Sequence, residues 1–203
     1  MLKKLKPRHL LWLVPVAVAA FAVACSSTPS TPSGASTVSV SLTDSPFTDA
    51  KALLVTFNDV SVHTSGGGWA SLPFEGGATT RTCDIKRLAG GAQDVLGTAA
   101  LAAGHYTQIR LNVASAQVYF TATTTDTAPC VAGSTMMLSD STDAGTPVTV
   151  SSGQLILNRP FDVASTGTTP TQILLDFNGD GSMMQTGMGM YRMTPVITVV
   201  GVQ

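Results

Sequence analysis

The string Asp176-Phe177-Asn178-Gly179-Asp180-Gly181-Ser182 sets oxygen-bearing side chains at alternate positions with a glycine for a sharp turn. That is the front half of a calcium loop, because Ca2+ collects several oxygen ligands from such spacing. No acid follows Asp180, so the bidentate carboxylate that closes an EF-hand loop is missing, and Asn178-Gly179 is also a hairpin signal. Just downstream, Met183, Met184, Met188, Met190 and Met193 fall within 11 residues. Thioethers are soft ligands that select Cu(I). Asp176, Asn178, Asp180, Met183, Met184, Met188 and Met190 are therefore the metal-ligand candidates, calcium for the first three and copper for the rest. A plain turn and methionines that fill irregular core space explain the same residues more simply, and no metal or other cofactor is assigned.

Catalysis has less to work with. There is no G-x-S-x-G, and beyond the first 24 residues only His63 and His105 remain as imidazole bases. His63 ends a strand before Ser65-Gly66-Gly67-Gly68 and His105 sits in a turn, so both read as solvated histidines. The acids form no pair that a glycosidase reading would single out. The chain reads as a protein that is not an enzyme, with no catalytic residue.

Location is better marked. Lys3, Lys4, Lys6 and Arg8 precede an apolar run from Leu10 to Ala24, and no acid occurs before Asp44. This is the order of an export signal. The run falls short of the ~20 apolar residues that cross a bilayer core, and Pro15 interrupts it. Its end, Ala22-Val23-Ala24-Cys25, resembles the bacterial lipobox, which implies cleavage before Cys25 and lipidation of that cysteine. Several acyl chains, at ~0.8 kcal/mol per buried CH2, hold a protein on a membrane where one chain is marginal. Residues 25–36 then read as a tether of Ser, Thr, Pro, Gly and Ala with nothing to bury. Ser26 stands where many lipoproteins retained at the inner membrane carry Asp, so the outer membrane of the bacterial envelope is the expected destination.

Eleven Lys and Arg less the four of the leader leave seven against twelve acids, a formal charge of −5 in place of −1. A nucleic-acid partner needs a basic footprint, which is absent. Glu75 is the only glutamate, while Thr, Ser, Gly and Val abound. That is strand chemistry. Once Cys25 is set aside, Cys83 and Cys130 make an even pair, which in an oxidising compartment reads as a disulfide; no CxxC or nearby His spacing supports metal instead.

Val38, Val40 and Leu42 alternate with Thr37, Ser39, Ser41 and Thr43, a half-buried strand that Asp44-Ser45-Pro46 stops. A short helical turn is expected over Phe47 to Ala52. In LLVTFNDVSVH the apolar positions change from odd (Leu53, Val55, Phe57) to even (Val60, Val62), so a β-bulge is predicted at Asn58-Asp59. HYTQIRLNVASAQVYF repeats that signature: Ile109, Leu111 and Val113 give way to Ala114, Ala116, Val118 and Phe120. Further strands are expected at 146–150, 154–158, 171–177, 189–193 and 196–202. One short helix is allowed between Asp84 and Gly97. Many short strands with Gly, Pro and Thr punctuation predict an all-β, antiparallel sandwich, with a barrel as the competing architecture.

Four phrases, SLTDSPF (41–47), VTFNDVSVH (55–63), LAAGHYTQIRLNV (101–113) and YRMTPVITVV (191–200), together resemble the DUF4382 family of envelope proteins, commonly lipoproteins. The resemblance spans residues 37–203 as one domain and implies a prealbumin-like or immunoglobulin-like sandwich but no reaction. Tyr106 falls on the polar phase of its strand, so its hydroxyl is expected to cap a sheet edge or corner. The functional expectation is a non-enzymatic interaction or structural module with an envelope protein or a saccharide as partner. Its recognition loops would be 65–77, 121–133 and 165–170. Trp69 and Phe74 are the contact candidates, unless they fold back over the sheet.

Overall fold

Val38, Val40 and Leu42 are fully buried along β1 (Ala35–Ser45), as their alternation requires. The computed structural model describes residues 34–45, 50–165 and 170–203. Cys25, most of the tether, the first half of the turn expected over Phe47 to Ala52 and the centre of the 165–170 loop lie outside these residues; the expected tether's last two residues, Ala35 and Ser36, belong to β1, and Ala52 opens β2. The second segment opens with β2 (Ala52–Thr64), β3 (Trp69–Ser71), β4 (Arg81–Asp84), β5 (Asp94–Ala102) and β6 (Gly104–Tyr119). It continues through β7 (Cys130–Ala132), β8 (Thr146–Val150) and β9 (Gln154–Val163). After it come β10 (Thr171–Asn178), the single helical turn α1 (Gly179–Ser182), β11 (Met183–Gly187), β12 (Met190–Met193) and β13 (Ile197–Val202).

The strands form two sheets. One has the order β13-β10-β1-β5. The other runs β11-β12-β8-β6-β2-β4-β7, with β3 added on β2 and β9 on β6. Val38, Leu42, Ile173, Leu175 and Phe177 of the first meet Leu53, Phe57, Val62, Ile109 and Leu111 of the second in one core. Each such side chain contributes about 1.5–3 kcal/mol by leaving water. The sandwich expectation holds, but two pairings are parallel: β1 with β10 and β12 with β8. No tight hairpin joins either pair, so nothing forces them antiparallel.

The predicted phase reversals are real and coincide. Between β2 and β6, Thr56 faces Ser115, Phe57 faces Val113 and Asp59 faces Asn112, so Asn58 and Ala114 are the extra residues on the two strands. Ahead of Asn58, β2 is buried on both sides. Leu53, Val55 and Phe57 enter the main core, while Ala52 and Leu54 join Tyr119, Ala122 and Met136 in a second cluster on the outer side. The segment after β6 lies over that outer side, held by Arg87, which donates to the carbonyls of Asp126, Thr127 and Ala128. Ala114 is exposed and Phe120 lies at the surface, so of the four residues expected in the second phase only Ala116 and Val118 enter the core.

Tyr106 corrects its expected facing. A further register shift leaves Thr107 unpaired between Tyr106 and Gln108, which turns Tyr106 inward, where it stacks on Phe161 at 5.2 Å. Its hydroxyl donates to Ala102 O at 2.9 Å and so does tie a corner. The stretch from Asp84 to Gly97 holds a short 3-10 turn, Ile85–Leu88, with the Asp84 carboxylate accepting from Lys86 N; a turn at Gly90-Gly91 follows, and β5 begins at Asp94. Gly97 is required there, because a Cβ would lie 2.5 Å from Leu72 O. Cys83 and Cys130 face each other across β4 and β7 and are bonded.

Tyr106→Phe is expected to cost about 1 kcal/mol, the worth of one hydrogen bond, read from urea denaturation. Replacing Cys83 and Cys130 together by Ala should cost about 2–4 kcal/mol under oxidising conditions and nothing further under reducing ones.

Candidate functional site

Past the bulge at Asn58 the outer face of the second sheet is left open, and the polar residues of β2 and β6 gather on it. Arg110 places its guanidinium 4.4 Å from the centre of the Trp69 ring. It also bonds the Asp59 carboxylate through Nε (3.2 Å) and Nη2 (3.1 Å). Asp59 accepts in addition from Ser61 Oγ at 2.9 Å. The His63 ring meets the edge of Trp69 at 5.1 Å, and its Nδ1 lies 3.3 Å from Thr107 Oγ1. Beside them Gln108 Nε2 donates to Asn158 Oδ1 at 2.7 Å. Trp69 is thus carried by a strand, paired opposite His63, and fixed from both sides. A planar aromatic set among amide, guanidinium and carboxylate groups can stack a flat apolar surface and exchange hydrogen bonds around its rim.

Phe74 does fold back: it is 6% exposed. It forms one wall of a cavity of about 450 Å3, together with Pro73, Glu75, Arg81, Asp94 and Val95. Arg81, 4% exposed, bonds Glu75 and Asp94 at 3.3 Å each, and its Nε has no partner among the described residues. Asp94 also accepts from Cys130 N, so the disulfide strand and the cavity share one carboxylate. Segment 65–77 therefore divides its two aromatics, Trp69 on the open face and Phe74 in the cavity wall. The loop 121–133 is tied down over the sheet through buried Ala122 and Cys130, while Thr121, Thr123, Thr125, Thr127 and Ala128 stay exposed.

The calcium string is built otherwise than a calcium loop. Asp176 sits in β10 opposite Thr43, Asn178 caps α1 by accepting from Gly181 N at 2.7 Å, and Asp180 lies in that helical turn. Asn178-Gly179 makes no hairpin, because α1 carries the chain from one sheet to the other. Among the described residues no group of three His, Cys, Asp or Glu could hold a metal. The methionines divide: Met193 is buried and Met183 packs on the core, but Met184, Met188 and Met190 are exposed, against the core-filling reading. His105 Nδ1 lies 2.8 Å from Asp162 on an open strand pair.

Arg110, Asp59, Arg81 and Asp94 carry no motif of their own; the nearest signal is the predicted bulge at Asn58-Asp59, which sets Asp59 beside Arg110 only once β2 pairs with β6. Asp44, 5% exposed, is a further such residue. Its Oδ1 accepts from Gly179 N at 3.2 Å, joining the end of β1 to α1, and its Oδ2 has no partner among the described residues. Burial pushes this carboxyl up to about 7, helped by Asp176 and Asp180 and opposed by the Gly179 bond and Lys86. Burial also raises Asp84, against its bonds from Thr124, Leu53 and Lys86.

The family model "Domain of unknown function (DUF4382)" matches residues 35–195. Neither a curated protein nor a solved structure matches the chain.

A carboxyl whose folded pKa exceeds its unfolded 3.8 takes up a proton on folding between that value and about 7, so its contribution falls as pH rises through this window. The urea midpoint should therefore drop between pH 5 and pH 8. Asp44→Asn should flatten that slope, leaving the smaller part due to Asp84.

Proposed function

The chain belongs to the DUF4382 family, and from that premise we propose that it is a lipid-anchored, non-enzymatic binding module of the bacterial cell envelope. Cys25 carries the lipid in this reading, the residues between it and β1 form the tether, and Ser26 directs the protein to the outer membrane. What supports the anchor is the basic-apolar-cysteine order of the leader. What supports recognition is the Trp69 face. Arg110, Asp59, Ser61 and His63 hold the indole before any partner arrives, so binding there loses little side-chain freedom. A saccharide ring or a flat patch of an envelope protein offers the apolar surface with a polar rim that this face complements. The His105–Asp162 pair is open to solvent, with the two side chains 49% and 81% exposed, which favours binding over catalysis.

Mass spectrometry of the protein from its native membrane is expected to show an acylated Cys25 as the first residue, and Cys25→Ala should move the protein from the detergent phase to the aqueous phase. Once the leader is removed Trp69 is the only tryptophan. Its emission should shift on titration with soluble peptidoglycan or lipopolysaccharide saccharides, or cross-linking in native membranes should capture a protein that Trp69→Ala and Arg110→Ala both release. An unmodified Cys25 overturns the anchor; no Trp69-dependent contact of either kind overturns the recognition face.

A further inference from the structure

Strands β11 and β12 form a hairpin whose base and tip obey different chemistry. At the base Met183 faces Met193, and both, with Tyr191, pack on the core. Toward the tip the apolar residues point away from the protein: Met184 is 65% exposed, Met190 54% and Met188 97%. Met188 is also the one non-glycine among the described residues with a positive φ, 49°, set between Gly187 (107°) and Gly189 (74°). A β-branched or long side chain is disfavoured in that backbone region, where Gly, Asn or Asp would sit without strain or with a local hydrogen bond. The tip thus holds a thioether against both solvation and backbone preference, an observed outlier from which a functional hypothesis can start.

The register gathers the three methionines at the outer end of the hairpin. Met184 lies opposite Arg192, and Met190 is two residues from Arg192 on the same strand, so the two share the outward face as diagonal neighbours, with Thr186 as the extra residue of a bulge between Gln185 and Gly187. Such neighbours stand about 7–8 Å apart at the backbone, within reach of two long side chains turned toward one another. Met188 follows at the turn, one glycine from Met190. Arg192, between them, turns its guanidinium to the Ser151 hydroxyl.

We infer that the hairpin tip is a Cu(I) site in which the thioethers of Met184, Met188 and Met190 are the ligands. Neutral soft sulfur donors suit a monovalent soft cation and reject Ca2+, Mg2+ and Zn2+, which seek oxygen, nitrogen or thiolate. Two glycines flanking Met188 let the tip close over the ion without moving the core-packed base. The site stands apart from the Trp69 face and does not depend on the lipid anchor.

The protein purified from its membrane in detergent, titrated anaerobically against the Cu(I)–bicinchoninate complex, should remove one Cu(I) per chain. Met184→Leu, Met188→Leu and Met190→Leu, which keep the apolar volume and lose the sulfur, should each weaken binding at least about tenfold, the cost elsewhere of losing only a ligand's support. Met137→Leu, which replaces an exposed methionine outside the hairpin, should change nothing. With methyl-labelled methionine, Ag(I) should move the methyl resonances of Met184, Met188 and Met190 and leave that of Met193. Failure to take Cu(I) from the chelator, or equal binding by the triple Leu variant, would overturn the site. So would a tip that docks on phosphatidylglycerol vesicles equally well as the triple Leu variant while taking no Cu(I).

Discussion

Two extra residues at one level, Asn58 on β2 and Ala114 on β6, govern how this sandwich is filled. A strand alternates faces without exception, so a sheet with one covered side can continue past a change in what covers it only by inserting a residue. Because both partners insert at the same place, the pairing survives and the two strands bend together. On one side of the bulges the outer face is capped by the chain that follows β6, and Leu54 and Tyr119 are buried there. On the other side the face carries Trp69 with Asp59, Ser61, His63 and Arg110, a polar set in which Ser61 is itself buried. The Trp69 face and the second cluster are two ends of one surface, divided by the bulge.

The opposite sheet depends on a different constraint, the long-range pairing of β1 with β10. Val38 aligns with Thr171, and the whole second sheet except its β11-β12 edge is synthesised between them. Closing so long a loop is entropically costly, yet the cost grows only slowly with length. The junction at its far end is a buried carboxylate bond, Asp44 to Gly179 N, where β10 passes into α1. A buried acceptor with one oxygen satisfied and one unpartnered is a costly connector when ionised. That explains why the carboxyl is held toward its neutral form.

Sequence made the long strands legible because they alternate or change phase over many residues: β1, β2, β6, β8 and β10 could be read directly. The three-residue strands β3 and β7 carry no period at all. The stretch that leads into β5, IKRLAGGAQDVLG, shows weak helical spacing, and the Leu72 backbone explains Gly97 only once the fold is closed. Tyr106 was assigned to the wrong side since a single unpaired Thr107 reverses facing without disturbing the apolar pattern around it. The disulfide was legible from parity and compartment, but not the direct opposition of its two strands. Parallel pairing was not legible, because direction depends on which distant strand lies alongside, and side-chain pattern does not encode that.

The same limit separates the candidate residues. Trp69 and Phe74 are five residues apart and chemically alike, yet one stands on the open face and the other walls a cavity. The difference lies in their supports. Trp69 pairs with His63 in a strand and meets a guanidinium already bound to Asp59. Phe74 follows Pro73, whose carbonyl accepts from Thr98 N and draws the chain down onto β5. In the methionine hairpin the division recurs over shorter distance: residues paired inward secure the base, so those paired outward can remain apolar and exposed without loosening the fold. In each case the rigid part is local and closed, and the chemistry sits one residue beyond it. On this scaffold an exposed side chain is held in position by fixed neighbours on paired strands, more than by a long free loop.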